Sequence, residues 1–353
     1  MPSGTRERAD AEPLRVAVIG AGVFGRNHLR VYRELERAGQ SIELAAVVDP
    51  SEAARDRASQ EYGIPAFASI EALTDHSAGN PIDAASVCVP TVAHAAAVHP
   101  LLSSGIDILI EKPIAGNLAE TDAIISAARE LGRIVQPGHL ERFNPAVRAV
   151  RPLLNRPMFF EVHRLSVFTP RSLDVDVVLD LMIHDLDIVL TLVGSPVREV
   201  RAVGLPVLSN KVDIANVRLE FVNGCVANFT ASRVSTERVR KMRFFQPHQY
   251  LSLDFARQDL LLIDVTAAAG LEMEQLAAQA GSGGHPSAGM SLRKVPVEPG
   301  EPLRLELEAF LDAVRRRSQP EITAEQGRAA LAIALEINAA VATHAERTGL
   351  TSH

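Results

Sequence analysis

The stretch Leu14-Arg-Val-Ala-Val-Ile-Gly-Ala-Gly-Val-Phe-Gly25 decides the fold. Leu14–Ile19 is a short, near-continuous apolar run, the pattern of a strand buried on both faces. Gly20-Ala21-Gly22-Val23-Phe24-Gly25 follows it directly and opens a helical pattern over Phe24–Ala38. Alone, G-x-G-x-x-G is a weak signal, but here it has a strand before it and a helix after it, the context of a dinucleotide-binding turn. Gly20 permits the tight turn, Gly22 lets backbone approach a diphosphate, and Gly25 lets the helix pack close to the sheet. The helix N-terminus, entered through Val23 and Phe24, adds unpaired N–H groups and positive dipole character for phosphates.

Further apolar runs follow at Glu43–Val48, Ala84–Val89, Ile106–Ile110 and, more briefly, Ile134–Gln136, with helix candidates between them such as Asn117–Leu131. Strands alternating with helices predict a doubly wound parallel sheet, a Rossmann domain over residues 1–138. Asp49 ends the second run, roughly 20 residues beyond the glycines, where an acid accepts hydrogen bonds from the adenosine ribose and repels a 2′-phosphate. NAD is therefore the expected cofactor, preferred to NADP, although Arg55 is near enough in sequence to meet a phosphate.

The pattern changes after about residue 150. Met158–Phe168 alternates loosely, Val217–Arg233 reads as two strands joined at Asn223-Gly224, and Tyr250–Phe255 and Asp259–Val265 are further strands. Asn-Gly is a strong hairpin signal because both turn residues can take positive φ. Residues 278–290 are a flexible loop by composition. Leu303, Leu307, Phe310, Leu311 and Val314 recur at helical spacing, and Thr323 with Gln326 forms a capping box for a long helix to about His344. Arg315–Arg317 reads as a solvated helix end. The second α/β domain is placed at residues 139–353, and no internal repeat is visible.

Composition narrows the function. The 353 residues fit about two domains. Hydrophobic residues make up 47% and charged residues 22%, an ordinary globular balance. A net charge of −7 argues against a nucleic-acid partner, and 4% aromatics with no Trp argue against a stacking platform. Two cysteines, Cys88 and Cys225, make neither a disulfide framework nor a multi-cysteine zinc site, and suit a reducing cytoplasm. Residues 1–13 lack a signal-peptide apolar stretch, and no run is long enough for a membrane span. His94 and His99 are not spaced as metal ligands on one helical face, so no metal is expected.

Two further motifs carry chemistry. Glu111-Lys112-Pro113 follows the fourth strand, where ligands of a doubly wound sheet bind. Asp180 and His184 are four apart, which puts both on one face of a helix, with Asp185 and Asp187 on other faces. Hydride transfer from a secondary alcohol needs a base for the hydroxyl proton, a cation beside the oxygen and a group to orient the base. His184, Lys112 and Asp180 fit those roles.

The combination of GAGVFG after an N-terminal strand, Pro90-Thr91-x-x-His94, Glu111-Lys112-Pro113 and Asp180-x-x-x-His184 resembles the glucose–fructose oxidoreductase / inositol dehydrogenase / MocA family. The resemblance spans nearly the whole chain. It implies a Rossmann domain followed by an α/β domain with a large open antiparallel sheet, and association through that sheet as a homodimer or homotetramer. It implies that Pro90, Thr91, His94, Glu111 and Lys112 lie at the cofactor, that Lys112, His184 and Asp180 are catalytic, and that the bond before Pro113 is cis.

Gly138–Val147 and Asp176–Ile188 further resemble the branch that oxidises the 3-hydroxyl of UDP-N-acetylglucosamine on the way to amide-linked lipid A. Residues 175–178, Val-Asp-Val-Val, replace the glycines common before the catalytic Asp and weaken transfer from simple-sugar and inositol dehydrogenases. Glu141, Arg142 and Asn144 are candidates to line the sugar site; Arg164, Arg171, Arg233 and Lys241 are candidates for a nucleotide sugar's diphosphate. His28 reads as a packing residue. A free-sugar or inositol dehydrogenase and an NAD(P)-binding regulatory protein are the alternatives.

Overall fold

A computed structural model describes residues 12–168, 175–265 and 291–349. Nearly all of the polar N-terminal segment, the 278–290 loop and Arg171 lie outside them. The chain divides into two compact units, one of Met1–His139 with Leu303–Arg328, the other of Leu140–Pro302 with Ala329–His353.

The first unit contains strands β1 (Leu14–Ile19), β2 (Ile42–Val48), β3 (Ala66–Phe67), β4 (Ala84–Val87), β5 (Asp107–Glu111) and β6 (Val135–Gly138). They form one parallel sheet in the order β3-β2-β1-β4-β5-β6, the Rossmann order. Helices α1 (Val23–Arg37), α2 (Glu52–Tyr62), α3 (Ile70–His76), α4 (His94–Ser103) and α5 (Leu118–Glu130) connect them. The strands are apolar on both faces because two separate cores flank the sheet: Val16 and Val18 pack with Leu29 and Tyr32 of α1, while Ala17 and Ile19 pack with Val98 and Leu101 of α4.

One expectation is corrected here. The C-terminal segment does not belong wholly to the second domain. A helix over Pro302–Arg316 lays Leu307, Phe310, Leu311 and Val314 into the same core as Val16, Val18 and Tyr32. Arg317, read as a solvated helix end, bonds the buried carboxylate of Asp107 and the carbonyl of Gly132, and Arg315 bonds the carbonyl of Ser41.

The second unit adds α6 (Pro145–Val150), β7 (Phe159–Leu165), α7 (Ile183–Val193), β8 (Val197–Leu205), β9 (Ile214–Phe221), β10 (Val226–Ser232), β11 (Val239–Gln246), β12 (Gln249–Asp254), β13 (Asp259–Asp264) and β14 (Ser291–Val295). In chain order the Pro302–Arg316 helix is then α8, and Ala324–Thr348 is α9. The eight strands run in the order β14-β13-β12-β11-β7-β10-β9-β8, antiparallel except for the β10–β7 pair. Strict alternation along β7 and β9 sends Phe160, Val162, Val217 and Leu219 into a core shared with Ile183, Leu186 and Val189 of α7.

The β9–β10 hairpin departs from the expected two-residue turn. Asn223 keeps an ordinary negative φ and accepts the Cys225 N–H through Oδ1 at 3.0 Å; Gly224 alone is left-handed, at φ +84°. A three-residue loop closing with glycine in that region is the next commonest hairpin solution. The Thr323–Gln326 capping box forms as expected, each side chain accepting the other's backbone N–H at 3.3 and 3.1 Å. No helix among the described residues is long and apolar enough to cross a membrane.

Candidate active site

The glycine turn is built by three different constraints. Gly20 has φ +97°, and a Cβ there would lie 2.8 Å from the Cys88 carbonyl oxygen. A Cβ at Gly25 would fall 1.7 Å from the Gly20 carbonyl oxygen. Gly22 is the opposite case: among the described residues a Cβ would meet nothing within 4 Å, and no side chain caps α1, whose N-cap it is. The turn is therefore packed on its inner side and open at the N-terminus of α1, which fits an approaching diphosphate. Val23 and Phe24 are half exposed there.

Asp49 continues this surface. Its Oδ2 accepts the Ala21 N–H at 2.7 Å and its Oδ1 the Ser51 N–H at 2.8 Å, which fixes the carboxylate at the end of β2 beside the glycine turn. Each oxygen keeps a further acceptor position for a hydroxyl. Arg55, the cation that would favour a 2′-phosphate, instead donates to the carbonyl oxygens of Asp49 and Pro50 at 2.8 and 2.9 Å.

After β4, Pro90 is exposed and Thr91–Ala93 forms one tight turn leading into α4. His94 is buried: its Nδ1 lies 3.0 and 3.1 Å from the carbonyl oxygens of Pro113 and Ile114, and its Nε2 lies 3.0 Å from that of Val89. Burial lowers its pKa despite these carbonyls. Its side chain thus braces the β4 loop against the β5 loop. The Lys112–Pro113 bond is cis, and Lys112 is half-buried. Glu111, at the end of β5, is turned inward, 3.0 Å from Nε2 of His28 on α1. Cys88 completes a group in which the imidazole, thiol and carboxylate atoms all lie within 4.8 Å of one another. Burial, reinforced by Glu111, raises the Cys88 thiol well above its ordinary range and keeps it protonated. His28 and Glu111 direct their facing atoms at each other, so the group reads as a hydrogen-bonded pair beside a thiol.

In the second unit, Asp180 and His184 are both half-buried. They do not lie on one uninterrupted α-helix: Val178–Met182 is a π-helical turn that passes into α7 at Ile183. Such turns occur often at functional sites. Asp176, which the sequence reading passed over, caps this segment. Its Oδ1 accepts the N–H groups of Val178 and Leu179 at 2.9 and 3.0 Å, and its Oδ2 accepts from Asn338 of α9 at 3.0 Å.

Asp185 and Asp187, read as outlying residues, are both 2% exposed and paired. Arg164 of β7 donates to both oxygens of Asp185 at 2.7 Å, and Arg142 donates to both oxygens of Asp187 at 2.7 and 3.0 Å. These two forks hold α7 at the first and third residues after His184. Burial raises the Asp185 pKa against the pull of Arg164; on Arg164 itself, Asp185 and Glu141 outweigh burial and hold the guanidinium charged.

The chain matches two family descriptions: the oxidoreductase family with an NAD-binding Rossmann fold over residues 14–139, and the Gfo/Idh/MocA C-terminal domain over residues 147–246. The chain belongs to the Gfo/Idh/MocA oxidoreductase family. Its first domain takes NAD, in keeping with the open glycine turn and Asp49. UDP-N-acetylglucosamine 3-dehydrogenase of Acidithiobacillus ferrooxidans is 34% identical over 336 residues, covering 95% of this chain and 99% of that relative. A solved structure of that enzyme superposes with a TM-score of 0.81 at 33% identity, over 93% of this chain and 97% of the other. Inositol 2-dehydrogenase of Leifsonia xyli is 29% identical over 194 residues, covering 53% of this chain and 56% of that relative.

In this Gfo/Idh/MocA member, the residues expected at the sugar site are largely engaged internally. Glu141 accepts from Arg164 at 2.9 Å, and Asn144 caps α6 and donates to the carbonyl of Phe255 at 3.0 Å. Arg142 and Arg164 are each 2% exposed, so neither guanidinium faces outward to a phosphate. Arg233 is also buried, with Asp213 at 3.5 Å, whereas Lys241 stays partly exposed.

Proposed function

We propose that this protein is an NAD-dependent dehydrogenase of a nucleotide-linked amino sugar, oxidising the 3-hydroxyl of UDP-N-acetylglucosamine to a ketone. The observation that carries this reading is the end-to-end match to a 3-dehydrogenase of that sugar, 95% of this chain and 99% of the relative, where the inositol dehydrogenase covers about half. A 3-keto sugar is the substrate an aminotransferase needs to install nitrogen, which suits a cytoplasmic step towards amide-linked lipid A.

NAD, when bound, supplies the acceptor for the hydride leaving the sugar carbon. The glycine turn would hold its diphosphate at the N-terminus of α1, and Asp49 would hold the adenosine ribose. His184 takes the hydroxyl proton as the C–H bond breaks. The Lys112 ammonium stabilises the negative charge that develops on the oxygen. Asp180 orients His184, and the Arg164–Asp185 and Arg142–Asp187 forks steady the helix that carries it. Arg142, Arg164, Glu141 and Asn144 therefore act on the sugar through α7 and its surroundings. Following the family resemblance, copies associate through the open face of the eight-stranded sheet; light scattering on the purified protein reads the number of copies.

The test is a panel of UDP-sugars, free sugars and inositols with NAD, followed by the absorbance of reduced nicotinamide. UDP-N-acetylglucosamine turning over well above any free sugar supports the reading; equal or faster turnover of a free sugar or inositol overturns it.

A further inference from the structure

His28 lies in the second turn of α1 and is fully buried. Nothing in its local spacing distinguishes it from a packing residue. Yet its Nε2 is 3.0 Å from Oε1 of Glu111, the last residue of β5. Glu111 is itself 7% exposed, and its other carboxylate oxygen fills the space a side chain at Gly138 of β6 would take, 3.2 Å from where that Cβ would stand. One carboxylate thus joins α1, β5 and β6 at the carboxyl end of the sheet.

The direction of the bond follows from the rest of the ring. Nδ1 of His28 is buried and has no hydrogen-bond partner among the described residues. A proton there would be a buried donor with no acceptor, so the N–H belongs on Nε2 and is donated to the Glu111 carboxylate. Charge-assisted bonds of this kind are the strong ones. The low dielectric around two buried side chains strengthens such a bond further.

The two ends of this bond matter more than the bond itself. Gly22, on the open side of the glycine turn, sets the N-terminus of the helix that carries His28. Lys112 follows Glu111 by one peptide bond. We propose that His28 is a positioning residue: by gripping Glu111 it holds Lys112 in a fixed relation to the helix that receives the diphosphate. This rests on the role given to Lys112 above, and the experiment separates the two.

Four single variants, His28→Ala, His28→Gln, Glu111→Ala and Lys112→Met, and the double variant His28→Ala with Glu111→Ala are compared. The substrates are NAD and UDP-N-acetylglucosamine, and NAD affinity is measured by calorimetry. His28→Ala should lower kcat about 10–100-fold, the usual cost of losing a supporting hydrogen bond, while NAD affinity moves less than about threefold. His28→Gln keeps an N–H for Glu111 and should recover most of kcat. Combining His28→Ala with Glu111→Ala should be little worse than either alone, because both remove one bond. Wild-type kcat in His28→Ala, or a Gln variant no better than the Ala variant, overturns the proposal. If His28→Ala does not fold, His28→Met, which fills the space without a donor, is set against His28→Gln, and equal rates overturn it.

A second reading needs no turnover. Amide hydrogen exchange across residues 108–115 should quicken in His28→Ala but not in His28→Gln; unchanged exchange contradicts the proposal. Lys112→Met at full rate would overturn the role of Lys112 instead, whereas Lys112→Met inert beside a normal His28→Ala removes only the positioning role.

Discussion

Arg164 and Asp185 face each other through two hydrogen bonds of 2.7 Å, Nε to Oδ2 and Nη2 to Oδ1, with both side chains almost wholly buried. Asp185 is the residue after His184; this fork ties α7 to β7, and its neighbour between Arg142 and Asp187 ties α7 to the turn at Leu140–Phe143. Breaking one partner of a buried pair leaves an uncompensated charge, at a cost of about 3–5 kcal/mol. Arg164→Leu is expected to lose about that much in urea unfolding, because Asp185 and part of Glu141 are left behind. The double variant Arg164→Leu with Asp185→Leu should recover a good part of the loss.

The glycines of the turn separate folding from binding. Gly25→Ala drives a methyl group into the Gly20 carbonyl and should lower stability and NAD binding together. Gly22→Ala meets nothing within 4 Å among the described residues. It should stay within about 0.5 kcal/mol of the parent in unfolding and still bind NAD more weakly, since its methyl group enters the open side. Thermal melts with and without NAD distinguish the two.

Asp49→Ala removes the acceptor for the Ala21 N–H and the group placed to meet the ribose. NAD affinity should fall, and the preference for NAD over NADP should narrow, measured as the ratio of the two dissociation constants. An unchanged ratio would assign the discrimination elsewhere.

These positions also mark how far the sequence could be read. The strands β1, β2, β4 and β5 are legible because burial on both faces leaves continuous apolar runs. The strand β3 is two residues long and leaves no such trace. The strand β11, Val239–Gln246, carries Arg240, Lys241 and Arg243 among its first five residues, which masks a strand whose Met242 and Phe244 are fully buried. The glycine turn, Lys112 and the Asp180/His184 spacing were visible as local motifs. The ion-pair forks were not, because Arg164 is 21 residues from Asp185 and Arg142 is 45 residues from Asp187. Local helix geometry made both aspartates look like outward-facing residues, and His28 looked apolar in role for the same reason. The cap at Asp176 was open to discovery: an acid two residues before a helical run is a start signal.

Asp213 gives a pH signature. Burial would raise its carboxyl, but the hydroxyl of Ser209 and the N–H groups of Val207, Leu208 and Ser209 all donate to it and hold it down to about 2. A depressed carboxylate contributes stability above its unfolded pKa, about 3.9, and loses it as the pH falls through its folded value. The stability gap between the parent and Asp213→Asn should therefore be full at neutral pH and shrink from about pH 4 towards pH 2, read by denaturant unfolding across that range.

The most direct test of the redox account is a single-turnover comparison of the parent with Lys112→Met and His184→Ala, using UDP-N-acetylglucosamine and NAD. The parent should form reduced nicotinamide, and both variants should bind NAD with near-normal affinity yet form almost none. Near-parental rates in either variant would contradict the roles assigned to Lys112 and His184.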